Sequence, residues 1–131
     1  MDEDKKRILV VDDEITVCKS IRQALLSEVY VVDMALSGEE ALKKEDEKKY
    51  DVIIADLMMP GLSGLDLLRS LKAKNSAAKV IMITGYPTMK NTVQSMQFGA
   101  YDYLPKPFLP SDLRNLVARA LTDADRGKTE G

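Results

Sequence analysis

Short apolar runs alternate with longer amphipathic segments along the whole chain, and each run has the length of a β-strand. The runs occupy residues 8–11, 29–32, 52–55, 80–83 and 101–104. The first, third and fourth runs are continuous and rich in Val and Ile, which is typical of parallel strands buried on both faces. The pattern therefore predicts five strands in a sheet that is covered by helices on both sides.

The segment after the fifth run has the clearest helical pattern. Its apolar residues recur at the spacing of one helix face, behind a plausible N-cap at Ser111. These residues are Leu113, Leu116, Val117, Ala120 and Leu121. At the start of the second helix, Ser37 and Glu40 have the spacing of a capping box.

Two other helices carry apolar residues of special interest. Cys18 lies beside the apolar face of the first helix, and we predict that it is a small core residue and not a reactive thiol. In the fourth helix, Met89, Val93 and Met96 form a narrow stripe among polar residues. This stripe predicts a helix that is only modestly anchored and is able to shift.

Strand and helix alternate over the whole length, which predicts an α/β fold of the (βα)5 type. Right-handed crossovers then give a three-layer, flavodoxin-like arrangement with a parallel sheet in the order 2-1-3-4-5. One domain is expected at residues 7–122, after a polar lead at 1–6. The polar tail at 123–131 is predicted to fray or to begin a linker.

Composition narrows the function. The chain has 131 residues, 45% of them hydrophobic, with a formal net charge of −2, so direct DNA binding by this domain is not expected. A single cysteine, no secretory signal and no apolar run of membrane-spanning length predict a cytoplasmic protein without a membrane partner. The chain contains no histidine, which excludes catalytic triads, most zinc sites and histidine-based acid or base catalysis.

Three carboxylates follow neighbouring strands of the predicted sheet. Asp12 and Asp13 follow the first run, and Asp56 follows the third. Flavodoxin-like folds bind ligands at the carboxyl ends of these two strands, where the winding direction reverses. Asp13 is also a candidate cap for a helix starting near Glu14. Because clustered like charges are costly without a cation, the three together predict a Mg²⁺ site.

Thr84 and Lys106 follow the fourth and fifth runs, so they are expected on the same rim as the carboxylates. Individually, a strand-end threonine and a surface lysine are common. Together with the aspartates they supply what phosphoryl chemistry needs, namely a nucleophile, a metal clamp, a cation and a hydroxyl that senses the phosphoryl group.

Four segments of the chain resemble the signature segments of response-regulator receiver domains of the CheY-like superfamily. The match covers about residues 7–121, and the fourth segment is most similar to receivers of NtrC-like, sigma-54-dependent regulators. The segments are Val10-Val11-Asp12-Asp13-Glu14, Asp56-Leu57-Met58-Met59-Pro60-Gly61, Thr84-Gly85 and Gly99-Ala100-Tyr101-Asp102-Tyr103-Leu104-Pro105-Lys106-Pro107-Phe108.

The resemblance implies that Asp56 is the phosphoacceptor and that the donor is the phosphohistidine of a sensor histidine kinase or phosphotransfer protein. Asp13, Asp56 and the backbone carbonyl of Met58 would hold Mg²⁺, with Asp12 acting directly or through water. Lys106 would pair with a phosphoryl oxygen. By the same resemblance the chain is a signalling domain that promotes its own phosphotransfer and slow dephosphorylation, and it is not an enzyme in the usual sense.

The resemblance also implies a switch. Thr84 would bond a phosphoryl oxygen, Tyr103 would rotate into the vacated space, and backbone amides near Leu57 and Gly85 would add donors. The output surface would be the fourth helix, fifth strand and fifth helix, which would contact an output domain or protein and is also the expected surface of a homodimer. The bond between Lys106 and the proline after it is expected to be cis.

Three features depart from the family's commoner residues or vary within it. Val29 stands where many relatives end the first helix with glycine, so a different turn is expected there. Gly85 replaces a commoner alanine. Met58 and Tyr86 flank the expected water approach without a carboxylate or amide to orient water, which predicts slow self-dephosphorylation.

Three other functions compete with this interpretation. An aspartyl-phosphate hydrolase would usually carry a second carboxylate two residues after the nucleophile, where this chain has Met58. A flavodoxin-like FMN protein would need a phosphate loop, whereas the loop after the first strand is acidic. A pseudo-receiver that only docks would not need the full set of site residues.

Overall fold

The computed structural model describes residues 4–130. Five strands and five helices alternate, as the apolar pattern predicts. The strands are β1 Lys6–Val11, β2 Tyr30–Ala35, β3 Val52–Asp56, β4 Lys79–Thr84 and β5 Asp102–Pro105. The helices are α1 Ile15–Ala24, α2 Gly38–Glu47, α3 Gly64–Ala73, α4 Met89–Gln97 and α5 Pro110–Glu130.

The strands form one parallel sheet in the order β2-β1-β3-β4-β5, which confirms the predicted flavodoxin-like topology. In the register, Val11 of β1 lies opposite Ala55 of β3, and Asp56 lies opposite Ile83 of β4. The carboxyl ends of the three central strands β1, β3 and β4 therefore lie at the same edge of the sheet. This alignment brings residues that are far apart in sequence to one place.

Alternate strand residues point to opposite faces and form two separate cores. On one face, Leu9, Ile53 and Met82 pack against leucines of α3 and Ala41 of α2. On the other face, β1, β3 and β4 pack against residues of α1 and α5. These include Ile8, Ile54, Ile81, Cys18, Leu113 and Val117. The continuous Val and Ile runs are explained because both faces of the central strands are covered.

Cys18 confirms its predicted role as a core residue. Its side chain is buried, and its thiol donates weakly to the backbone oxygen of Asp12 at 3.5 Å. Burial, followed by the nearby Asp12 carboxylate, raises the pKa of the Cys18 thiol to about 11. Such a thiol stays protonated and unreactive at neutral pH.

Two predicted helix caps differ from the structure. Ser37 caps α2 by accepting a hydrogen bond from Glu40 N, but the Glu40 carboxylate accepts from Leu36 N, so the reciprocal half of the capping box is absent. Ser111 is not the N-cap of α5. That helix begins at Pro110, where a missing N–H costs nothing. The first bonds of α5 run to Leu109 O.

The apolar stripe on α4 faces away from the protein. Met89 is 84% exposed, and Val93 and Met96 are also exposed, whereas Ser95 is buried. The stripe therefore contributes little to anchoring the helix, in line with the modest anchoring predicted from it. Ser95 is accommodated because its hydroxyl donates to the backbone oxygen of Asn91. The helix contacts the domain through small and polar side chains.

Val29 does not adopt the left-handed conformation, and its carbonyl accepts a hydrogen bond from Lys6 N. The turn into β2 therefore differs from a glycine turn, as expected.

The helix α5 includes residues 123–130, which the sequence predicts as a polar tail. Their role as a linker stays a prediction, and residues 1–3 of the polar lead lie outside the described part. None of the helices described has the length and hydropathy needed to cross a bilayer.

Candidate functional site

Asp12, Asp13 and Asp56 come together at the carboxyl ends of β1 and β3. Each offers a carboxylate oxygen, and these oxygens all lie within 4.8 Å of one another. Asp12 and Asp56 are buried, and Asp13 is exposed. β1 and β3 thus hold the acidic cluster at the point where the winding direction of the fold reverses. This is the location predicted from the sequence.

Asp12 organises the start of α1. Its Oδ1 accepts a hydrogen bond from Glu14 N at 2.9 Å. Glu14 is the N-cap residue of α1 and makes no capping bond through its own side chain. Since Asp12 accepts from this amide, the structure gives no support to the alternative that Asp13 is a helix cap.

Lys106 connects the two buried carboxylates. Its Nζ lies 3.2 Å from Oδ2 of Asp12 and 3.5 Å from Oδ2 of Asp56. Burial alone would lower the pKa of Lys106, but the carboxylates of Asp12 and Asp56 outweigh it and raise the pKa above its ordinary value. The ammonium therefore stays charged at neutral pH. The Lys106–Pro107 bond is cis, as the resemblance implied.

Asp56 sits in a less favourable environment for a charge. Burial raises its pKa, while the Met58 N–H and the Lys106 ammonium lower it and only partly compensate. The Met58 N–H donates to Oδ1 of Asp56 at 3.1 Å. Leu57 N donates to Ile83 O in the sheet, so the Met58 N–H is the amide near Leu57 that contacts the carboxylate of Asp56.

Thr84 lies on the same rim, at the end of β4, and its side chain is fully buried. Its hydroxyl oxygen accepts a hydrogen bond from Tyr86 N at 3.1 Å. Its carbonyl accepts from Lys106 N at 2.7 Å, which ties the ends of β4 and β5 together. The hydroxyl and the ammonium therefore belong to one connected rim.

Tyr103 lies one strand further along, on β5, and is half-buried against the core. Its hydroxyl donates to Oδ1 of Asn91 in α4 at 3.0 Å. Tyr103 was predicted from the sequence as a switch residue, whereas Asn91 was not. Its position three residues after Thr88 was a usable signal, because the two form a reciprocal capping box at the start of α4.

The residues two positions after Asp56 and Thr84 carry exposed side chains. Met58 is 58% exposed and Tyr86 is 77% exposed. Neither side chain carries a carboxylate or an amide. The structure therefore places no acid or base two residues after Asp56, where an aspartyl-phosphate hydrolase usually has one.

The donor set fits a hard divalent cation. Three carboxylates carry more negative charge than the single ammonium of Lys106 offsets, so the site has a net negative charge. Carboxylate oxygens are the ligands preferred by Mg²⁺. An acidic cluster of this kind is able to hold such an ion, and the acidic loop after β1 is a poor environment for the phosphate of a flavin.

A doubly wound parallel sheet with an acidic site at its switch point that is able to hold a cation defines a flavodoxin-like α/β protein. The family model for the response regulator receiver domain matches residues 8–118. The chain therefore belongs to the receiver-domain family of two-component response regulators.

Curated relatives support the family. The chain is 41% identical over 107 residues to the transcriptional regulatory protein ResD of Bacillus subtilis, covering 82% of this chain and 44% of ResD. It is 35% identical over 121 residues to the transcriptional regulatory protein ZraR of Escherichia coli, covering 92% of this chain and 27% of ZraR. The chain thus spans half or less of the length of these two relatives, which are longer regulators.

Solved structures agree in fold. A CheY-like receiver domain protein from Methanospirillum hungatei superposes with a TM-score of 0.89 at 32% identity, covering 94% of this chain and 98% of that chain. The receiver domain of a LuxO repressor protein from Vibrio parahaemolyticus gives a TM-score of 0.91 at 29% identity, covering 97% and 98%. Response regulators as a class act with histidine kinases and output domains.

Proposed function

We propose that Asp56 accepts a phosphoryl group from the phosphohistidine of a sensor kinase or phosphotransfer protein, and that Mg²⁺ is required. The observation that carries this proposal is the position of Asp56. Its carboxylate lies at a strand end, 3.5 Å from the Lys106 ammonium and within 4.8 Å of the Asp12 and Asp13 carboxylates. This is a nucleophile beside both a fixed cation and the donors for a metal ion.

In the transfer step, a carboxylate oxygen of Asp56 forms a bond to phosphorus as the phosphorus–nitrogen bond to the partner's imidazole breaks. The imidazole leaves with the electron pair of that bond. Lys106 balances charge on the phosphoryl oxygens because its ammonium is already held between Asp12 and Asp56. Bound Mg²⁺ would supply the remaining neutralisation, held by Asp12, Asp13, Asp56 and the Met58 carbonyl.

The histidine must come from a partner because this chain has none. A mainly apolar groove opens beside Lys106, between α1 and the start of α5. Its lining includes Val17, Ile21, Ala24, Pro107 and Phe108. We propose that this groove receives a helix of the phosphohistidine-bearing partner, since it reaches the site from the side of Lys106.

The proposed output is a rearrangement of α4, β5 and α5. Thr84 would turn its hydroxyl to a phosphoryl oxygen, and Tyr103 would follow into the vacated space. The exposed residues Met89, Val93 and Met96 give this surface an apolar character suited to an output domain, a partner protein or a second copy of the chain. The cytoplasmic location stays a prediction from the sequence.

Incubation with acetyl phosphate and Mg²⁺, followed by intact mass measurement, tests the proposal. One phosphoryl adduct is expected for the wild-type chain, and none is expected for Asp56→Asn or without Mg²⁺. Asp46→Asn, which alters an exposed carboxylate on α2, is the matched control and should be labelled normally. An adduct that persists in Asp56→Asn would overturn the assignment, and no adduct in the wild type would favour a docking pseudo-receiver.

A further inference from the structure

Three hydrogen bonds, joined through the backbone of Tyr86 and the side chain of Asn91, connect the hydroxyl groups of Thr84 and Tyr103. Tyr86 N donates to the Thr84 hydroxyl at 3.1 Å, and Tyr86 O accepts from Nδ2 of Asn91 at 3.1 Å. Oδ1 of Asn91 accepts from the Tyr103 hydroxyl at 3.0 Å. Asn91 is therefore the side chain that connects the loop after β4 to β5.

The orientation of the Asn91 amide is fixed by its backbone partners. Thr88 N is a donor and lies 3.0 Å from Oδ1, so that atom must be the oxygen. Tyr86 O is an acceptor, so the atom facing it must be the nitrogen. Because Oδ1 carries no hydrogen, the Tyr103 hydroxyl must donate. Each hydrogen bond between Thr84 and Tyr103 thus has a defined donor and acceptor.

The same side chain also holds the start of α4. Asn91 and Thr88 form a reciprocal capping box, and the exposed apolar stripe of α4 contributes little anchoring. Polar contacts therefore carry much of the attachment of the first turn. A change at the Thr84 hydroxyl reaches the α4 N-terminus and Tyr103 through one amide.

We infer that Asn91 is a positioning residue that holds the resting state of the switch, by coupling the Thr84 loop to Tyr103 and to the first turn of α4. This inference rests on the proposed function. Movement of the Thr84 hydroxyl toward a phosphoryl oxygen weakens its bond to Tyr86 N. The backbone of Tyr86 then shifts, so that its carbonyl releases Asn91 and Asn91 releases Tyr103.

Asn91→Asp breaks one connection and keeps the others. An aspartate still accepts from Thr88 N and from the Tyr103 hydroxyl, and a negative charge in the first turn of a helix is favourable. It has no N–H to donate to Tyr86 O. Tyr103→Phe breaks the other end without changing charge, and Asn115→Asp, on an exposed position of α5, is the matched charge control.

Two measurements on the whole chain test the role of Asn91, namely hydrogen exchange and beryllofluoride binding. Without ligand, hydrogen exchange at the Tyr86 amide should become about fivefold faster in Asn91→Asp, the factor expected for one neutral hydrogen bond. Because the resting state is then less favoured, the apparent Kd for beryllofluoride with Mg²⁺ should fall by about the same factor. Asn115→Asp should match the wild type in both measurements.

The effects of Asn91→Asp and Tyr103→Phe should not add, because both act on one chain of bonds. The inference is overturned if the wild type binds beryllofluoride while Asn91→Asp keeps the wild-type exchange rate and Kd. A rise in Kd would also overturn it, because loosening the resting state must favour the bound state and Asn115→Asp controls for the added charge. If the wild type itself does not bind beryllofluoride, the proposed function fails instead, and the exchange rate at Tyr86 alone still decides whether Asn91 holds the loop.

Discussion

Gly64 packs directly against the backbone of Asp56. A Cβ atom at position 64 would lie 2.2 Å from the carbonyl oxygen of Asp56 and 2.8 Å from Cα of Leu57. Gly64 N also donates to Leu57 O, which closes the loop between β3 and α3. The start of α3 therefore sets the position of the residue that we propose as phosphoacceptor.

Gly64→Ala should destabilise the domain and slow its phosphorylation. The obstructing atoms belong to the backbone, so relief requires a shift of Asp56 or of α3, at a cost of about 1–3 kcal/mol. Urea unfolding and the rate of labelling by acetyl phosphate measure the two effects. Wild-type stability together with a wild-type labelling rate would show that the loop adapts without moving Asp56.

Gly85→Ala should have the opposite effect on stability. Apart from Gly85 and its two chain neighbours, no residue has an atom within 4 Å of a Cβ at this position, and the backbone of Gly85 is not left-handed. Alanine should raise the free energy of unfolding by about 0.4–1 kcal/mol by restricting the unfolded chain. Gly61→Ala is the matched control, because Gly61 has a φ of 71° and should lose stability. A destabilised Gly85→Ala variant would contradict the prediction.

Asp56→Asn should raise the free energy of unfolding at neutral pH without Mg²⁺, by on the order of 1 kcal/mol. Burial raises the pKa of Asp56, so its charged form disfavours the folded state. As pH falls, the folded wild type binds a proton at Asp56 near this raised pKa. The unfolded chain binds the same proton only at lower pH, near the ordinary pKa of aspartate. Wild-type stability therefore improves relative to the variant as pH falls, and the advantage of the variant disappears below the ordinary value.

Asp46→Asn is a control with the opposite sign. A hydrogen bond from Lys74 lowers the pKa of Asp46, so this carboxylate favours the folded state above the ordinary pKa and loses that effect as pH falls through its lowered pKa. Denaturant unfolding across a pH series compares the two variants. Equal pH profiles for Asp56→Asn and the wild type would contradict the proposed cost of the buried charge.

Lys106→Met should slow labelling by acetyl phosphate about 100-fold, the loss typical of removing one donor that stabilises developing charge. It should also lower stability in the absence of Mg²⁺, because buried Asp12 loses its cationic partner. The exposed Lys43→Met variant controls for loss of a lysine. Labelling of Lys106→Met at the wild-type rate would remove Lys106 from the transfer step.

Met58→Asn should shorten the lifetime of the phosphorylated domain by about tenfold, because an amide beside Asp56 is able to orient the attacking water. Met58 is exposed at the rim, so the substitution should leave the fold intact. Met96→Asn, an exposed position on α4, is the control. Timed phosphate release from the isolated domain is the measurement. Equal lifetimes for Met58→Asn and the wild type would refute the prediction that Met58 keeps dephosphorylation slow.

Much of the site was predictable because parallel strands bring their carboxyl ends to one edge. Apolar runs located the strands. Asp12, Asp56 and Thr84 follow their runs directly, and Lys106 lies two residues after the fifth run. Once the strand order is given, their proximity follows without knowledge of side-chain packing. The structure confirms it through the ion pairs of Lys106 with Asp12 and Asp56.

The sequence was less informative where polar contacts replace apolar packing. Periodicity predicted modest anchoring of α4 through Met89, Val93 and Met96, but it did not predict that Ser95 occupies the buried position. Similarly, Ser111 has the residue type of an N-cap, while α5 begins at Pro110. Hydrophobic spacing shows that a helix has an apolar and a polar face. It does not show which of the two packs against a neighbouring element.

The sequence by itself determined the order of elements, the two-sided burial of the central strands and the set of groups at the site. Only the tertiary structure decided that Asn91 joins Thr84 to Tyr103, that Gly64 packs against Asp56 and that the α4 stripe is exposed. Local patterns encode strands and helices because side-chain spacing repeats with the backbone. Contacts between elements depend on distances across the fold, and those are fixed only when the layers pack together.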